Sequence, residues 1–337
     1  MRRWLAWALT AALLLSGCAA RQEENRQAVY LDVFDTVTTV AAAGMDETAF
    51  QQAAESIHET LLHYHRLFDI YNDYEGLNNL KTVNDNAGLS PVTVDGEIIR
   101  LLLDCRDYYE LTDHAVNVAM GSVLRLWHEA RTKALDEGEK ASLPEAAALR
   151  AAAEHCGWDT VQIDEAASTV YLTDRFQSLD VGAVAKGWAA ERAAREAPAG
   201  ILISVGGNVC ATGPKAENTP WVVGIADPDG GEGYLRTLYD WDKAIVTSGD
   251  YQRYFELDGV RYHHIIDPQT LYPATRFRSV TVVCADSGLA DALSTALFVL
   301  PLEEGKALAE KTGAEAMWLD TQGNISQTPG FSEYLAG

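Results

Sequence analysis

The chain has 337 residues, of which 47% are hydrophobic and 22% are charged, so it can bury a sizeable core and is too apolar to be disordered. Its formal net charge of −23 argues against nucleic acid as a partner, because phosphate contacts need a basic surface. A small phosphorylated ligand is not excluded, since backbone amides, one lysine and a divalent cation can hold it whatever the total charge.

The N-terminus has the composition of a targeting signal. Two arginines precede an apolar run that is too short to span a bilayer, and a small-residue segment follows that ends at Cys18. That segment resembles a bacterial lipobox, whose cysteine is lipidated and becomes the new N-terminus; the alternative is an ordinary secretory signal with a chance cysteine. The predicted organisation is a lipoprotein signal peptide (1–17), a polar tether (18–27) and one folded unit (28–337).

The first part of the folded unit predicts a strand and a long helix. Residues 29–41 are rich in Val, Thr and Phe and indicate one strand. Asp46 is expected to cap a helix with an apolar face at 3.6-residue spacing. Three histidines on this helix complete no zinc motif with a carboxylate, so a solvated or capping role is expected for them. They are His58, His63 and His65.

The middle of the chain predicts three helices followed by a strand-rich region. The helices are expected at 98–111, 121–134 and 144–155, and a hairpin at 161–164 and 169–172. No internal repeat or low-complexity linker marks a domain boundary. Further strands are predicted at 201–205, 209–213, 221–226, 234–239 and 244–246.

A glycine-containing turn precedes the helix predicted to end near residue 196. It reads D-V-G-A-V-A-K-G at 180–187, and a strand, a turn and a helix start place free backbone N–H groups together, which suits an anion. Lys186 adds a positive charge. The glycine spacing matches neither the P-loop nor the dinucleotide fingerprint, so this motif alone is weak.

The stretch from 245 to 295 carries the densest set of polar residues between apolar runs. A hairpin is predicted over Asp258-Gly259, which should bring Ser248 near His264. In the helix that follows, Asp291 and Thr295 are four residues apart and project from one side. On the residues alone, a surface carboxylate and a core-filling threonine are the simpler explanation of this pair.

Taken together, seven blocks of the sequence resemble the ApbE family of flavin transferases. They follow the family's order and extend over nearly the whole chain after the predicted signal. The blocks are F-D-T at 34–36, F-D-I-Y-N-D at 68–73, D-V-G-A-V-A-K-G at 180–187, S-V-G-G-N at 204–208, T-S-G-D-Y at 247–251, H-H-I-I-D-P-Q-T at 263–270 and A-D-A-L-S-T-A at 290–296.

The resemblance implies an α+β fold with a mixed, mostly antiparallel sheet flanked by helices. It implies an FAD:protein FMN transferase that needs Mg²⁺ and moves FMN from FAD to a threonine hydroxyl of an acceptor flavoprotein, with release of AMP. The alternatives are an FAD diphosphatase that yields FMN and AMP, and a non-catalytic flavin- or solute-binding lipoprotein. The protein is expected to be anchored to the cell membrane through lipid on Cys18 and to face the extracytoplasmic side.

The resemblance also assigns roles to residues of this chain. Asp291, Thr295 and the backbone carbonyl of Ala183 are expected to hold magnesium. His264 and Asp291 are the candidate catalytic groups, and either of them or a water could take the acceptor proton. The expected FAD contacts are Phe34, Tyr71, Ala115, Val116, Asn117, Asp180, Lys186, His264 and Ile265.

Two departures from the family pattern affect these expectations. Val116, Asn117 and Ala119 replace a phenylalanine, an aspartate and a threonine, so FAD contacts there are expected to come mostly from backbone. Leu271 stands where the family usually has a glycine after Asp267-Pro-x-Thr. The loss of that glycine puts the local turn conformation in question.

Overall fold

The computed structural model describes residues 25–137, 142–230 and 233–336. The predicted signal peptide and Cys18 lie outside the described residues. The first strand begins at Asn25, inside the segment predicted as a tether. Among the described residues, no helix is long and apolar enough to cross a bilayer.

Strands and helices alternate irregularly along the chain, as expected for an α+β fold. The strands are β1 Asn25–Val33, β2 Thr36–Ala43, β3 Val92–Thr93, β4 Val161–Asp164, β5 Thr169–Leu172, β6 Ile201–Val205, β7 Asn208–Ala211, β8 Trp221–Ala226, β9 Tyr234–Asp240, β10 Ala244–Gly249, β11 Tyr254–Leu257, β12 Val260–His263, β13 Phe277–Cys284, β14 Glu315–Asp320 and β15 Ile325–Gln327. The helices are α1 Glu47–Phe68, α2 Leu80–Asp85, α3 Gly96–Leu111, α4 Gly121–Glu137, α5 Ala146–Ala153, α6 Ala185–Glu196, α7 Ser287–Val299 and α8 Leu302–Thr312.

The largest sheet has eight strands in the order β1-β2-β6-β7-β10-β13-β14-β15, and its neighbouring strands pair antiparallel. The predicted α+β class with a mostly antiparallel sheet is therefore confirmed. Successive residues of β10 point to opposite faces. Val246 joins the main core with α1, α6 and α7, whereas Ile245 joins a second core beneath the β8–β9 hairpin.

The N-terminal region corrects one prediction. The single strand expected at 29–41 is wrong, because β1 and β2 form a hairpin there. Phe34 and Asp35 make the turn, with φ values of 53° and 51° in the left-handed region. The Phe34 N–H donates to Nδ1 of His65 at 3.1 Å, so His65 supports this turn and is not simply solvated.

Other local predictions are confirmed. Asp46 caps α1 by accepting from the Ala49 N–H at 3.0 Å. The Asp258-Gly259 turn joins β11 to β12 with positive φ at both residues, 51° and 75°, as a two-residue hairpin turn requires.

Helix α7 is the most enclosed helix and carries the residues that matter most below. It is buried along nearly its whole length, including the polar Asp291 and Ser294. Buried polar groups need partners. Ser294 Oγ lies 2.8 Å from Ser248 Oγ on β10 and donates to the Asp291 carbonyl at 2.9 Å, which fixes α7 against the sheet.

Candidate active site

A cavity of about 770 Å³ lies where the ends of β2 and β10, the start of α6 and the middle of α7 meet. It brings together every residue to which the sequence assigned a catalytic, FAD-binding or metal-binding role. Their roles stay predictions, but their clustering is a property of the fold. The twelve residues are Phe34, Tyr71, Ala115, Val116, Asn117, Asp180, Ala183, Lys186, His264, Ile265, Asp291 and Thr295.

Asp291 defines the buried end of this cavity. Its side chain is almost fully enclosed, and its Oδ2 accepts from the Gly187 N–H at 2.8 Å and lies 3.9 Å from Lys186 Nζ. A Cβ on Gly187 would come within 2.3 Å of the Ser287 carbonyl oxygen, so a glycine is required for this approach of α6 to α7. The sequence predicted an anion at this helix start, and the chain's own carboxylate occupies that position.

The electrostatics of Asp291 favour a bound cation. Burial raises the pKa of Asp291, while Lys186 and the Gly187 N–H lower it in part. Asn208 lies close enough to lower this pKa as well, although its buried Nδ2 has no hydrogen bond of standard geometry to any described residue. Because neighbouring groups compensate the negative charge of this buried carboxylate only in part, a divalent ion would stabilise its ionised form.

The oxygen donors around Asp291 fit Mg²⁺. Thr295 and Ala183 line the same cavity, and hard oxygen donors such as a hydroxyl and a backbone carbonyl suit this ion. Among the described residues, no three or more His, Cys, Asp or Glu side chains form a metal cluster. The donor set therefore matches the way Mg²⁺ is held by one or two carboxylates together with substrate phosphates.

His264 is the neutral base candidate. Burial, together with the nearby Arg253 and Lys186, holds the pKa of His264 well below its usual value. Its Nδ1 is buried without a hydrogen-bond partner among the described residues. The adjacent His263 is different, because it donates to the Ala274 carbonyl at 2.7 Å and accepts from the Ile265 N–H at 3.2 Å. Of the two histidines, only His264 has a ring nitrogen without a hydrogen-bond partner among the described residues.

Tyr71 defines the exposed end of the cavity. Its side chain is 59% exposed, and its hydroxyl lies 2.7 Å from Nδ1 of His128 on α4. Asp69 shapes the turn that presents it by accepting from the Tyr71 N–H at 2.6 Å and from the Tyr74 hydroxyl at 2.8 Å. Burial would raise the pKa of Asp69, but these hydrogen bonds and those from Asn72 lower it.

Two arginines that the sequence analysis missed also line the cavity. Arg253 donates to the Phe34 carbonyl at 3.2 Å, and neither Arg131 nor Arg253 forms an ion pair with any described residue. Burial and the charge of Arg253 lower the pKa of Arg131. With Lys186, three cations converge here in a chain of net charge −23, which is the arrangement expected for a multiply charged anion. Arg253 follows the T-S-G-D-Y block by two positions, whereas Arg131 had no motif signal.

The two departures from the family pattern have different outcomes. The Asn117 side chain accepts from the Ala119 N–H at 2.9 Å and donates to the Cys156 carbonyl at 3.0 Å. Its polar atoms therefore bind backbone groups of the protein. Leu271 adopts φ of 64°, the left-handed conformation that suits glycine. Its carbonyl accepts from Trp127 Nε1 at 2.9 Å and its side chain packs in the cluster around Trp127, which holds the turn.

A buried carboxylate, a neutral histidine and unpaired cations around one cavity define a site for phosphate-group chemistry. The ApbE family model matches residues 34–318, and the chain therefore belongs to the ApbE family. It is 36% identical over 260 residues to an FAD:protein FMN transferase of Treponema pallidum, covering 71% of this chain and 70% of that protein. Identity to the FAD:protein FMN transferase of Vibrio cholerae is 29% over 350 residues, covering 100% and 97%.

The solved structures agree with this assignment. The crystal structure of the ApbE protein of Thermotoga maritima is 29% identical and superposes with a TM-score of 0.82, covering 93% of this chain and 100% of that one. The seven sequence blocks and the fold thus point to the same family.

Proposed function

We propose that this protein is an FAD:protein FMN transferase, which cleaves the diphosphate of FAD and joins the FMN half to a threonine hydroxyl of an acceptor flavoprotein. The observation that carries the proposal is the single cavity that combines Asp291, His264 and three cations in a member of the ApbE family. The relatives named FAD:protein FMN transferase support it.

Different residues of the cavity suit the aromatic ring and the phosphate groups of FAD. The exposed ring of Tyr71 offers a flat face for an aromatic ligand near the opening. Arg131, Arg253 and Lys186 can form charge-assisted hydrogen bonds with phosphate oxygens, and in AMP these bonds stabilise the leaving group. Residues 115–117 and Ile265 also line the cavity.

Asp291, Thr295 and the Ala183 carbonyl would hold Mg²⁺. When bound, the ion withdraws negative charge from diphosphate oxygens. The protein's own contribution is to fix these donors, through the Gly187 N–H and the seating of α7 against β10.

His264 is positioned for the proton transfer. The acceptor threonine oxygen forms a bond to the phosphorus of the FMN half, the bond from that phosphorus to the AMP oxygen breaks, and the hydroxyl proton moves to the imidazole of His264. Neighbouring Arg253 and Lys186 disfavour the charged imidazolium, so the proton leaves His264 again readily. Asp291 is less suited as the base, because its carboxylate already accepts from Gly187.

FAD hydrolysis to FMN and AMP is the second candidate function. The 59% exposure of Tyr71 shows that the cavity opens to solvent, so a water can take the place of the threonine. A solute-binding protein that converts nothing would not need the buried Asp291.

One assay separates these functions. The purified protein is incubated with FAD, Mg²⁺ and a threonine-bearing flavoprotein subunit in its apo form. We expect covalent flavin on the acceptor and AMP in solution, and neither when EDTA is added. Free FMN without labelling would assign the hydrolase, and unchanged FAD would contradict both enzymatic functions.

We also propose that Cys18 carries a lipid that anchors the protein to the extracytoplasmic face of the cell membrane. The composition of the first 18 residues supports this. Cys18→Ala should move the protein from the membrane to the soluble fraction without changing FAD cleavage; continued membrane association of this variant would contradict the anchor.

A further inference from the structure

A second groove of about 690 Å³ adjoins the candidate active site. We call it the α4 groove; its sides are α4 and the 175–180 segment, and α2 and residues 70–71 complete it. It shares Ile70, Tyr71, His128 and Asp180 with the catalytic cavity, so the two spaces meet at these residues. The hydrogen bond between Tyr71 and His128 lies at their junction.

The 175–180 segment is a preformed side of this groove. Leu179 exchanges two hydrogen bonds with the Asn84 side chain, at 2.9 and 2.7 Å. The Gln177 side chain donates to the Gly157 carbonyl at 2.6 Å, and the Ser178 carbonyl accepts from the Gly121 N–H at 3.0 Å. A surface fixed at three successive residues loses little conformational entropy when a partner binds.

The groove carries cations that have no acidic partner. Arg125 and Lys133 lie on the exposed face of α4, and Arg175 lies opposite on the 175–180 segment. None of the three forms an ion pair with a described residue. Of the acids in the groove, Asp85 pairs with Lys81 at 2.6 Å. Asp180 accepts from the Gly182 N–H at 2.9 Å but keeps its charge, so Asp180 and Glu129 stand against the three cations.

An exposed aromatic side chain completes the surface. Phe176 is 56% exposed, and the Arg175 guanidinium lies 4.8 Å from its ring centre. Aromatic and arginine side chains are the residue types that contribute most to protein interfaces.

We propose that the α4 groove binds an extended, acidic segment of the acceptor flavoprotein and directs its threonine past Tyr71 into the catalytic cavity. This inference rests on the proposed transferase function. The transferred group has to reach a hydroxyl near His264, so the acceptor must send a segment through the opening of the cavity. The adjoining groove can hold the flanking residues of that segment, and Arg125, Lys133 and Arg175 complement acidic ones.

The test is a charge reversal away from the catalytic residues. The variant combines Lys133→Glu with Arg175→Glu, and the control combines Arg236→Glu with Lys311→Glu, which makes the same charge change at exposed residues of β9 and α8. The probe is the apo form of a flavoprotein subunit that the wild-type protein labels with FMN. We expect the groove variant to raise the acceptor KM about tenfold and to weaken its salt dependence. Hydrolysis of FAD without acceptor should stay at the wild-type rate.

A second variant tests the aromatic contact without changing charge. Phe176→Ala should raise the acceptor KM severalfold and leave the KM for FAD unchanged. If the groove and control variants have equal acceptor KM values while the wild-type protein still labels the acceptor, the groove proposal is wrong and the transferase function stands. A raised KM for FAD would instead assign the groove to the nucleotide and also overturn it. Failure of the wild-type protein to label any acceptor while it hydrolyses FAD would contradict the transferase function itself.

Discussion

The two ends of the catalytic cavity are built in opposite ways. At the buried end, Asp291 is 3% exposed and is held by the backbone N–H of a helix that only a glycine lets approach. At the exposed end, Tyr71 is 59% exposed and is held by one side-chain hydrogen bond to His128. In the proposed function, the charge of Asp291 is therefore preorganised in the interior, whereas Tyr71 meets the substrate from an exposed position.

The most severe test of this contrast is Asp291→Asn. The amide keeps an oxygen for the Gly187 N–H but removes the charge, so FAD cleavage and transfer should both fall by at least about 10²–10³-fold. The measurement is AMP and FMN release across a Mg²⁺ titration. Asp286→Asn, a change of the same type at the cap of α7, should keep activity because Asn caps helices as well as Asp. Unchanged cleavage by Asp291→Asn would remove our metal assignment.

Asp291 also predicts a pH-dependent stability. Its pKa is raised in the folded state, so its protonated form stabilises the fold; that contribution is present at low pH and is lost as pH rises through the raised pKa. Without metal, Asp291→Asn should therefore melt above the wild type at neutral pH and near it in acid. Mg²⁺ should raise the melting temperature of the wild type only.

His264→Gln should have the next largest effect. Losing a general base costs about 10²–10⁴-fold, so transfer should fall in that range while the exposed His63→Gln control stays active. Because the pKa of His264 is well below its usual value, the wild-type rate should not fall near pH 6.5 and should decline only in stronger acid. A wild-type inflection near pH 6.5 that His264→Gln abolishes would contradict this account of the imidazole.

Arg131→Gln and Arg253→Gln should have intermediate effects. Each removes one charge-assisted contact to phosphate, so the KM for FAD should rise about tenfold and become less sensitive to salt. Arg236→Gln on β9 is the matched control. If both cavity variants bind FAD as the wild type does, the unpaired arginines serve another anion.

Tyr71→Phe should change least at the site. It keeps the ring and loses only the hydrogen bond to His128, so the KM for FAD should rise about two- to threefold. Tyr71→Ala removes the ring as well and should be clearly worse. Equal effects of the two substitutions would place the importance of Tyr71 in its hydroxyl.

The sequence predicted which residues gather around one cavity better than it predicted the local fold around them. Asp291, Thr295 and His264 were found because they lie in family blocks, and helical spacing already placed the first two on one side of α7. Arg131 was missed because a single arginine on an amphipathic helix has no pattern that distinguishes it from a solvated residue. Only the fold places it on the cavity near Arg253.

The misassigned strand at 29–41 has a different cause. Apolar and β-branched residues stand on both sides of Asp35, which is a turn-forming residue type, but its partner in the turn, Phe34, is not. The turn forms because His65, on a distant part of the chain, accepts the Phe34 N–H. Such a tertiary contact decides the conformation, and single-sequence patterns do not record it.

At Leu271, replacement by glycine should destabilise the protein less than replacement by alanine, which is the opposite of the usual order. A left-handed backbone costs an ordinary residue roughly 1–2 kcal/mol, and the packing of Leu271 beside Trp127 offsets that cost. Leu271→Gly removes both the cost and the packing, so the free energy of unfolding should change little. Leu271→Ala loses the packing and keeps the cost, so thermal melts should show alanine, the closer relative of leucine, as the more damaging replacement. A lower melting temperature for the glycine variant would show that side-chain packing alone governs this turn.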